Sequence, residues 1–591
     1  MTWAEIEPAL DMAELWADPD SIPDSPDDDF WWRQKSARPD RDMYPWPGKL
    51  DTFRPWQLDA CREIVDGFRR GMGVMVLDGP PGTGKTIIAE MVLRCRDNTT
   101  VGGLEHGMNR ATYLAHTISL QRQFVEDFPY GNVVKGAGNY PTENGPGWVT
   151  CADCQRDDCT YCPSGVCPYT DAKHKAVTGR LAVANTAYWL HEANHVRNGL
   201  GGRELLVVDE CDTLESALMG FVEFGVTARQ LQRIGVDVVK KAARTPTVLD
   251  WLDRVVRASK AWATANRGRA ATGGDVKLQR EVKAMLRLAG SARAFAMELD
   301  AGQLDDGDGG DTEGDDNARW VRDYSADDGG AVWKPVTVGR FGGGYVWRHC
   351  QQALAMSGTV VSADEWVDST GVTAAGIDWG GVAIPSPFAV ANRPVIVVPA
   401  ANMTYKTYDA EIDKLCVAIG RVLERHPEDR VLVHTTSYKL TGDVVGWLNA
   451  SGHGERVVTH ERSDGAAGRG EALEQYLATD AAVLCSPSMD RGVDLPGDAC
   501  RVQVVCKVPF APLGDKQVST RLRVPGGQTW YTVGTARTLI QMTGRGVRSA
   551  DDHATTYVLD RQFNRWWGDG RRVVPQWWAD GVKIGKLRDF Q

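Results

Sequence analysis

The sequence has no apolar run near the roughly 20 residues needed to cross a bilayer, so a membrane-spanning helix is excluded. It has no surplus of positive charge either: the formal balance is −11 at pH 7. Taken alone, that argues against a nucleic-acid partner, because phosphates are bound by basic surfaces. No internal repeat of fixed period is present. Met1–Asp29 is acidic and broken by prolines, unlike a secretory signal or a transit peptide, and the expected location is the cytoplasm. A spread disulfide framework is also missing. Of the 13 cysteines, five crowd between Cys151 and Cys167, and such clustering in a large intracellular chain reads as a metal site.

What is present is a chain of 591 residues, 42% hydrophobic and 25% charged, ordinary for a soluble protein of two to four domains. The charge is unevenly spread. Asp18–Asp29 and Asp305–Asp316 hold much of the negative count, the second with seven carboxylates, whereas Lys240–Arg293 carries thirteen Lys/Arg against four Asp/Glu. A local basic surface is therefore available despite the sum.

Residues 1–44 read as a poorly ordered acidic arm. Val74–Leu77 is a short β-branched run followed by a glycine-rich turn and a helix-like stretch, Thr86–Arg94, the opening of a parallel α/β domain. Ala111–Ala115 and Leu205–Val208 read as further buried strands. Residues 215–300 change character: Leu278, Val282, Met285 and Leu286 fall at helical spacing and predict a helical insertion. The Asp/Gly segment 305–316 buries too little apolar surface to fold and is expected to be a mobile loop. A second α/β series begins near Pro394, with Val431–His434, Ala481–Cys485 and Val502–Val505 as strands.

Gly79-Pro-Pro-Gly-Thr-Gly-Lys-Thr86 fits G-x-x-x-x-G-K-S/T in the strand-to-helix context that the motif needs. Backbone N–H groups around Gly79, Gly82, Thr83 and Gly84 can turn inward on phosphate oxygens. Lys85 supplies a point charge, Thr86 a hydroxyl for Mg²⁺, and the helix N-terminus a field favourable to anions. Leu205-Leu-Val-Val-Asp-Glu210 ends a strand in two carboxylates: Asp209 for the Mg²⁺ shell, Glu210 to polarise an attacking water. Gln541-Met-Thr-Gly-Arg-Gly-Val-Arg548 places Gln541, Arg545 and Arg548 at i, i+4 and i+7, one face of a helix. An arginine offered across a cleft to a γ-phosphate stabilises transition-state charge.

In this order the motifs resemble those of XPD/DinG-type superfamily 2 helicases. Arg54-Pro-Trp-Gln57 resembles the family's adenine-side R-P-x-Q motif, and His116-Thr117 through Gln121 its first DNA-contact motif. Lys135-Gly-Ala-Gly-Asn-Tyr140 and Val183-Ala-Asn-Thr-Ala187 resemble the segments flanking the family's cysteine domain. Met356-Ser-Gly-Thr359 resembles its S-A-T motif and Ser386-Pro-Phe388 a tripeptide that opens lobe two. Val433–Tyr438 resembles the T-S-Y strand end, and Gly492-Val-Asp-Leu-Pro-Gly497, with Asp494 on the nucleotide side, the G-V-D-x-P-G motif. The likeness runs from about Arg54 to Asp560. Several positions depart from it: Asp212 stands where the family has the histidine of D-E-A-H that couples ATP state to the other lobe, Arg491 where it has Glu, Gly358 where it has Ala, and Thr142 where its first cysteine often falls.

The resemblance implies two RecA-like parallel-sheet lobes, the first over 45–380 with a cysteine insert at 136–178 and a helical arch at 215–345, the second over 381–591. It implies an ATP-dependent DNA helicase, a monomer, moving 5′→3′ on single-stranded and forked duplex DNA, with ATP and Mg²⁺. The alternative is a DNA-stimulated ATPase that remodels nucleoprotein without processive unwinding. From spacing alone, C-x2-C-x4-C-x2-C-x4-C suits Zn²⁺ in S₄ ligation; the resemblance implies a 4Fe–4S cluster instead. Five cysteines for four ligands leave one spare. The expected set is Cys154, Cys159, Cys162 and Cys167, with Cys151 in place of Cys154 as the alternative. Strand contacts are expected at His116, Thr117 and Gln121 in lobe one and at Thr436, Ser437 and Tyr438 in lobe two. Trp251 and Trp262 read as core.

Overall fold

The computed structural model describes residues 53–96, 110–154, 162, 166–197, 199–241, 243–272, 275–305, 319–324, 329–489, 495, 497–547 and 552–586. The expected arm at 1–44, nearly all of the Asp/Gly segment, and Cys159, Arg491, Asp494 and Arg548 lie outside the described residues.

Short apolar runs buried on both faces require helices above and below them, and a parallel sheet results. In lobe one the strands lie in the order Trp379–Ala383, Val74–Asp78, Cys350–Ser357, Arg203–Asp209, Ala111–Ala115, Leu181–Asn185, Asn132–Val133. All neighbours pair in parallel. Side chains alternate with the strand period of two. Val74, Val76, Leu114 and Val208 enter one core, while Met75, Leu77, Tyr113 and Val207 enter the core on the other face. Lobe two repeats the plan with seven parallel strands, in the order Val457–Thr459, Val483–Ser486, Val431–His434, Val502–Val505, Thr555–Asp560, Val395–Ala401, Val582–Ile584.

Between Asp209 and Cys350 the chain leaves lobe one to build the arch. Its long arms are the helices Thr245–Thr272 and Val276–Asp305, packed together as a hairpin. Val282 and Met285 are buried as their spacing suggests; Leu286 is 49% exposed and faces outward. Trp251 is buried, and Trp262 is half-buried beneath the Arg233 guanidinium. The base of the arch is a three-stranded antiparallel sheet of Phe224–Val226, Ala331–Pro335 and Trp320–Tyr324. Phe224, Trp251, Phe295, Trp320 and Trp333 pack against one another there. The sequence reading missed this sheet because its strands are short, and Trp320–Tyr324 mixes charged with aromatic residues beside the acidic stretch. No described helix is long and apolar enough to cross a membrane.

Candidate active site

The parallel register brings the chemistry to one edge. Asp78 pairs with Ser357, and Asp209 with Met356 on the other side of the same central strand. The turn after Asp78 bends through Gly82 and Gly84, whose φ of 82° and 77° are left-handed values that glycine adopts freely. The Gly79 N–H donates to Ser357 O at 3.0 Å, and Lys85 Nζ rests on Gly79 O at 3.0 Å. Thr83 Oγ1 donates to Pro80 O at 2.8 Å. Thr86 is the second residue of the helix Lys85–Arg96.

Arg54 and Gln57 grip this loop. Arg54 Nη1 donates to Gly82 O at 2.7 Å and Gln57 Nε2 to Thr83 O at 3.1 Å, while Gln57 Oε1 accepts from Arg54 N at 2.9 Å. Both ends of the buried Gln57 amide are thus engaged with backbone. Arg54 and Gln57, expected on the adenine side, are held against the phosphate loop by these bonds. Phe388 covers the same loop, since a Cβ on Gly82 would meet its Cζ at 2.2 Å.

The acids converge opposite Lys85. Tyr113 Oη donates to Asp209 Oδ2 at 2.8 Å, and Thr86 acts on the titration of the same phenol. The two residues expected around Mg²⁺ therefore meet at a single phenol, and the donor set of one carboxylate and one hydroxyl suits that hard cation. Burial, then the neighbouring Glu210, raises the Asp209 carboxyl to about 6, against the opposing charge of Lys85. Burial likewise raises Asp78 to about 6, opposed by Lys85 and Arg537. Glu210 holds a left-handed backbone, φ 49° and ψ 51°. A non-glycine residue there is strained, a feature that clusters at functional sites. The strain turns its carboxylate onto Ser357, whose Oγ is 3.0 Å from Glu210 Oε2 and 2.8 Å from Asp212 Oδ1.

Lobe two closes the site with the helix Gly527–Thr543. Gln541 Nε2 donates to Asp212 Oδ2 at 2.8 Å and to Thr359 Oγ1 at 3.0 Å. Asp212 thus has a lobe-two partner although it is not histidine. The expectation that Gln541 and Arg545 share a helix face is corrected: the helix ends at Thr543, with Gly544 as its cap. Gly546 follows, where a Cβ would lie 2.4 Å from Cys500 O, so the chain must leave the helix to pass. Arg545 stands in the turn between these glycines, and Gly544 lies against Pro81 of the phosphate loop. One turn before Gln541, the buried Arg537 donates to Glu365 Oε2 at 2.7 Å and to Val360 O at 3.2 Å. The sequence reading missed Arg537, and extending the Gln541 face back by four residues would have found it.

Comparison with known proteins bears on this arrangement. Residues 419–581 match the family model of the helicase C-terminal domain. The ATP-dependent DNA helicase YoaA of Escherichia coli is 24% identical over 187 residues, covering 30% of this chain and 28% of YoaA. The ATP-dependent DNA helicase DinG of Photobacterium profundum is 23% identical over 277 residues, 42% of this chain and 38% of DinG. A solved XPD helicase shares the fold with a TM-score of 0.60 at 13% identity, over 91% of this chain and 100% of that one. S. tokodaii Xpd4 does so at 0.55 and 12%, over 90% and 100%. In sequence the chain is similar to YoaA and DinG, and in fold to XPD. Its matches span 28% and 38% of the length of those two curated relatives.

The cysteine insert is pinned by a Pro141–Thr150 bridge and by Cys151 N donating to Tyr140 O at 2.9 Å. Cys151, the residue left spare in the expected set, is buried, its Sγ donates to Pro141 O at 3.7 Å, and the Cys167 and Cys162 thiols act on its titration. Burial pushes the Cys151 thiol up to about 11. Burial also works upward on Cys167, but hydrogen bonds from the Thr170 backbone and side chain and from Cys151 outweigh it and bring it below the usual thiol range. Cys154 Sγ approaches Thr150 O at 3.7 Å. Soft sulfur donors of this kind fit an iron–sulfur group, while among the described residues no three metal-ligating side chains are gathered closely enough to hold an ion.

The expected strand contacts divide. His116 is exposed, and Thr117 caps the helix Ile118–Asp127 by accepting from Leu120 N at 3.2 Å. Gln121 is fully buried within that helix and does not reach the surface, which corrects its expected role. The apolar i, i+3 neighbours that bury this helix face take Gln121 inside with them. In lobe two, Thr436 has a left-handed φ of 62°, and Ser437 caps the helix Tyr438–Ala450.

Proposed function

We propose that the chain is an ATP-dependent helicase that translocates 5′→3′ on single-stranded DNA, acts on forked duplexes, and carries a structural 4Fe–4S cluster. One observation carries the reading: Gln541 of lobe two reaches Asp212, three residues beyond the acid Asp209, and Gly544 follows it so near the phosphate loop that a Cβ there would lie 3.7 Å from Pro81 Cγ. Nucleotide bound at Lys85 would thus lie in a cleft walled by both lobes, where hydrolysis and lobe movement are linked.

In this reading Lys85 and the loop N–H groups bind the phosphates. Thr86 and Asp209 would hold Mg²⁺, which neutralises phosphate charge when bound. Glu210, oriented by Ser357, takes up hydrogen-bonding to the attacking water. Arg545 and Arg548 would serve the γ-phosphate from lobe two, and Asp494 the nucleotide. Cys154, Cys159, Cys162 and Cys167, or Cys151 in place of Cys154, would hold the cluster, which cross-links a small insert lacking a core of its own. His116, Ser437 and Tyr438 offer contacts for a strand lying across the tops of both sheets. Asp212 in place of histidine favours a second reading, an ATPase that remodels nucleoprotein without unwinding; its bond to Gln541 supports retained coupling.

The test is unwinding of 5′-tailed against 3′-tailed duplexes by anaerobically purified protein, with Lys85→Ala as control. Unwinding of the 5′-tailed substrate alone is expected. DNA-stimulated hydrolysis without unwinding of either substrate would favour the second reading. The visible absorption of the same preparation distinguishes iron–sulfur from zinc.

A further inference from the structure

Lobe two also grips lobe one at a place outside the nucleotide motifs. Glu215 lies in the helix Leu214–Val222, which continues the 3₁₀ turn Cys211–Thr213 that starts at Glu210. This helix is the first element of the arch. The Glu215 carboxylate takes two donors from lobe two: Arg521 Nη1 on Oε1, and Trp530 Nε1 on Oε2 at 3.1 Å. The Arg521 guanidinium lies over the Trp530 ring, 4.1 Å from its centroid. The ion pair is nearly dry, with side-chain exposures of 12% for Glu215 and 5% for Arg521. The same stretch of lobe two reaches the sheet at the base of the arch, where Gln517 Nε2 donates to Val336 O at 2.8 Å and Lys334 pairs with Asp515 at 3.6 Å.

The placement matters because of what the helices connect. Trp530 and Gln541 stand on one helix, Gly527–Thr543, about three turns apart and so on the same face. Their partners, Glu215 and Asp212, lie one turn apart at the root of the arch. A single rigid helix therefore reads the acid turn with one end and holds the arch with the other. At the far end of the arch, Arg280 forms a two-point pair with Asp153, 2.6 Å and 2.8 Å, and Lys283 Nζ donates to Ala152 O at 2.6 Å. Asp153 lies between Cys151 and Cys154. The arch thus runs from the grip of lobe two to the cysteine loop. A buried carboxylate with two donors does not slide between partners without exposing an unpaired charge, so the joint moves as a unit.

We propose that Glu215, held by Arg521 and Trp530, is a positioning residue that carries movement of lobe two into the arch and shifts the Arg280–Asp153 contact over the cysteine loop during the nucleotide cycle. This rests on the nucleotide-driven lobe motion proposed above.

The test uses the full chain with fluorescent unnatural residues at the exposed positions Asn144 and Lys260. Energy transfer between them is read with and without a non-hydrolysable ATP analogue and single-stranded DNA. Hydrolysis and unwinding are measured in parallel. Glu215→Gln removes the charge and keeps the shape; Trp530→Phe removes only the N–H and stands in should the first variant fold poorly. The wild type is expected to change its transfer on binding the analogue. The variants are expected to hydrolyse ATP within about twofold of wild type, while the transfer change and unwinding each fall by roughly fivefold or more. A transfer change that persists in the variants, or hydrolysis and unwinding that fall in equal proportion, overturns the proposal. A wild type that hydrolyses and unwinds with an immobile arch overturns this joint alone, whereas a wild type without DNA-stimulated hydrolysis overturns the function itself.

Discussion

Lobe one and lobe two are built on the same seven-stranded parallel sheet, and they differ in what stands at the carboxyl ends of the strands. In lobe one, Val74–Asp78 runs into a glycine turn that opens the helix Lys85–Arg96, whose first-turn N–H groups have no acceptor within the helix and face an incoming anion. In lobe two, Thr555–Asp560 ends in a buried carboxylate that takes such groups for itself. Asp560 Oδ1 accepts from Met403 N at 3.1 Å and Gln562 N at 3.0 Å, and Oδ2 from Val508 N at 2.9 Å. The turn after Val395–Ala401 is closed further by the Thr404 and Thr407 hydroxyls, 2.7 Å apart. An open row of N–H groups receives a phosphate, and a plugged row stabilises its own lobe. The shared fold therefore does not imply two nucleotide sites. Lobe two contributes the side chains of Gln541 and Arg537 to the site in lobe one, and Arg545 is proposed to join them.

The comparison can be broken or sharpened by substitution. Lys85→Ala removes the charge that only lobe one presents, and turnover should fall by about 10³-fold in steady-state hydrolysis. Asp560→Ala should act on stability instead. Three buried N–H groups lose their acceptor, so denaturant unfolding should show a loss of roughly 3 kcal/mol or more, with nucleotide affinity by titration little changed. If Asp560→Ala weakened nucleotide binding as strongly as Lys85→Ala, the two strand ends would not be the different devices described. Asp78→Asn tests the open end from another side. The folded carboxyl titrates near 6, above its ordinary 3.8. Stability from its protonated form is fully present below about 4 and is lost as pH rises through about 6. The substitution should therefore stabilise the nucleotide-free protein by about 1.5 kcal/mol more at pH 7.5 than at pH 5, read as the difference in melting shifts. Gln541→Ala should give the smallest effect. Hydrolysis should fall roughly fivefold and lose part of its stimulation by DNA, because Asp212 loses its lobe-two donor while the phosphate loop is untouched.

Much of this was legible in the residues. Val74–Leu77, Ala111–Ala115 and Val502–Val505 could be read as buried strands because their runs are short and largely apolar, the first with a β-branched bias and a glycine-rich turn after it. Glycine and lysine spacing marked the phosphate loop because its backbone geometry admits few other residues. The base of the arch was not legible, since Phe224–Val226 and Trp320–Tyr324 become strands only when the aromatic cluster around Trp333 packs them. The helix end at Thr543 was hidden for a related reason: the i, i+4 pattern continues to Arg545, while the crowding of Gly546 against Cys500 is tertiary. Gln121 looked like a contact residue by position, and only the packed helix shows that it points inward. The role of Gln57 on the Thr83 carbonyl, and of Glu215 beneath Trp530, depends on segments far apart in sequence, which no local pattern reports.

The most direct test of a nucleotide cleft shared between the lobes is hydrolysis by Arg545→Ala in the presence of single-stranded DNA, with ATP binding measured on the same preparation. Turnover should fall by about 10³-fold while binding stays within a few-fold of wild type, because the arginine acts from lobe two on the transition state and the phosphates are held by lobe one. Turnover at the wild-type rate would contradict the account and leave the two lobes as neighbours without a common site.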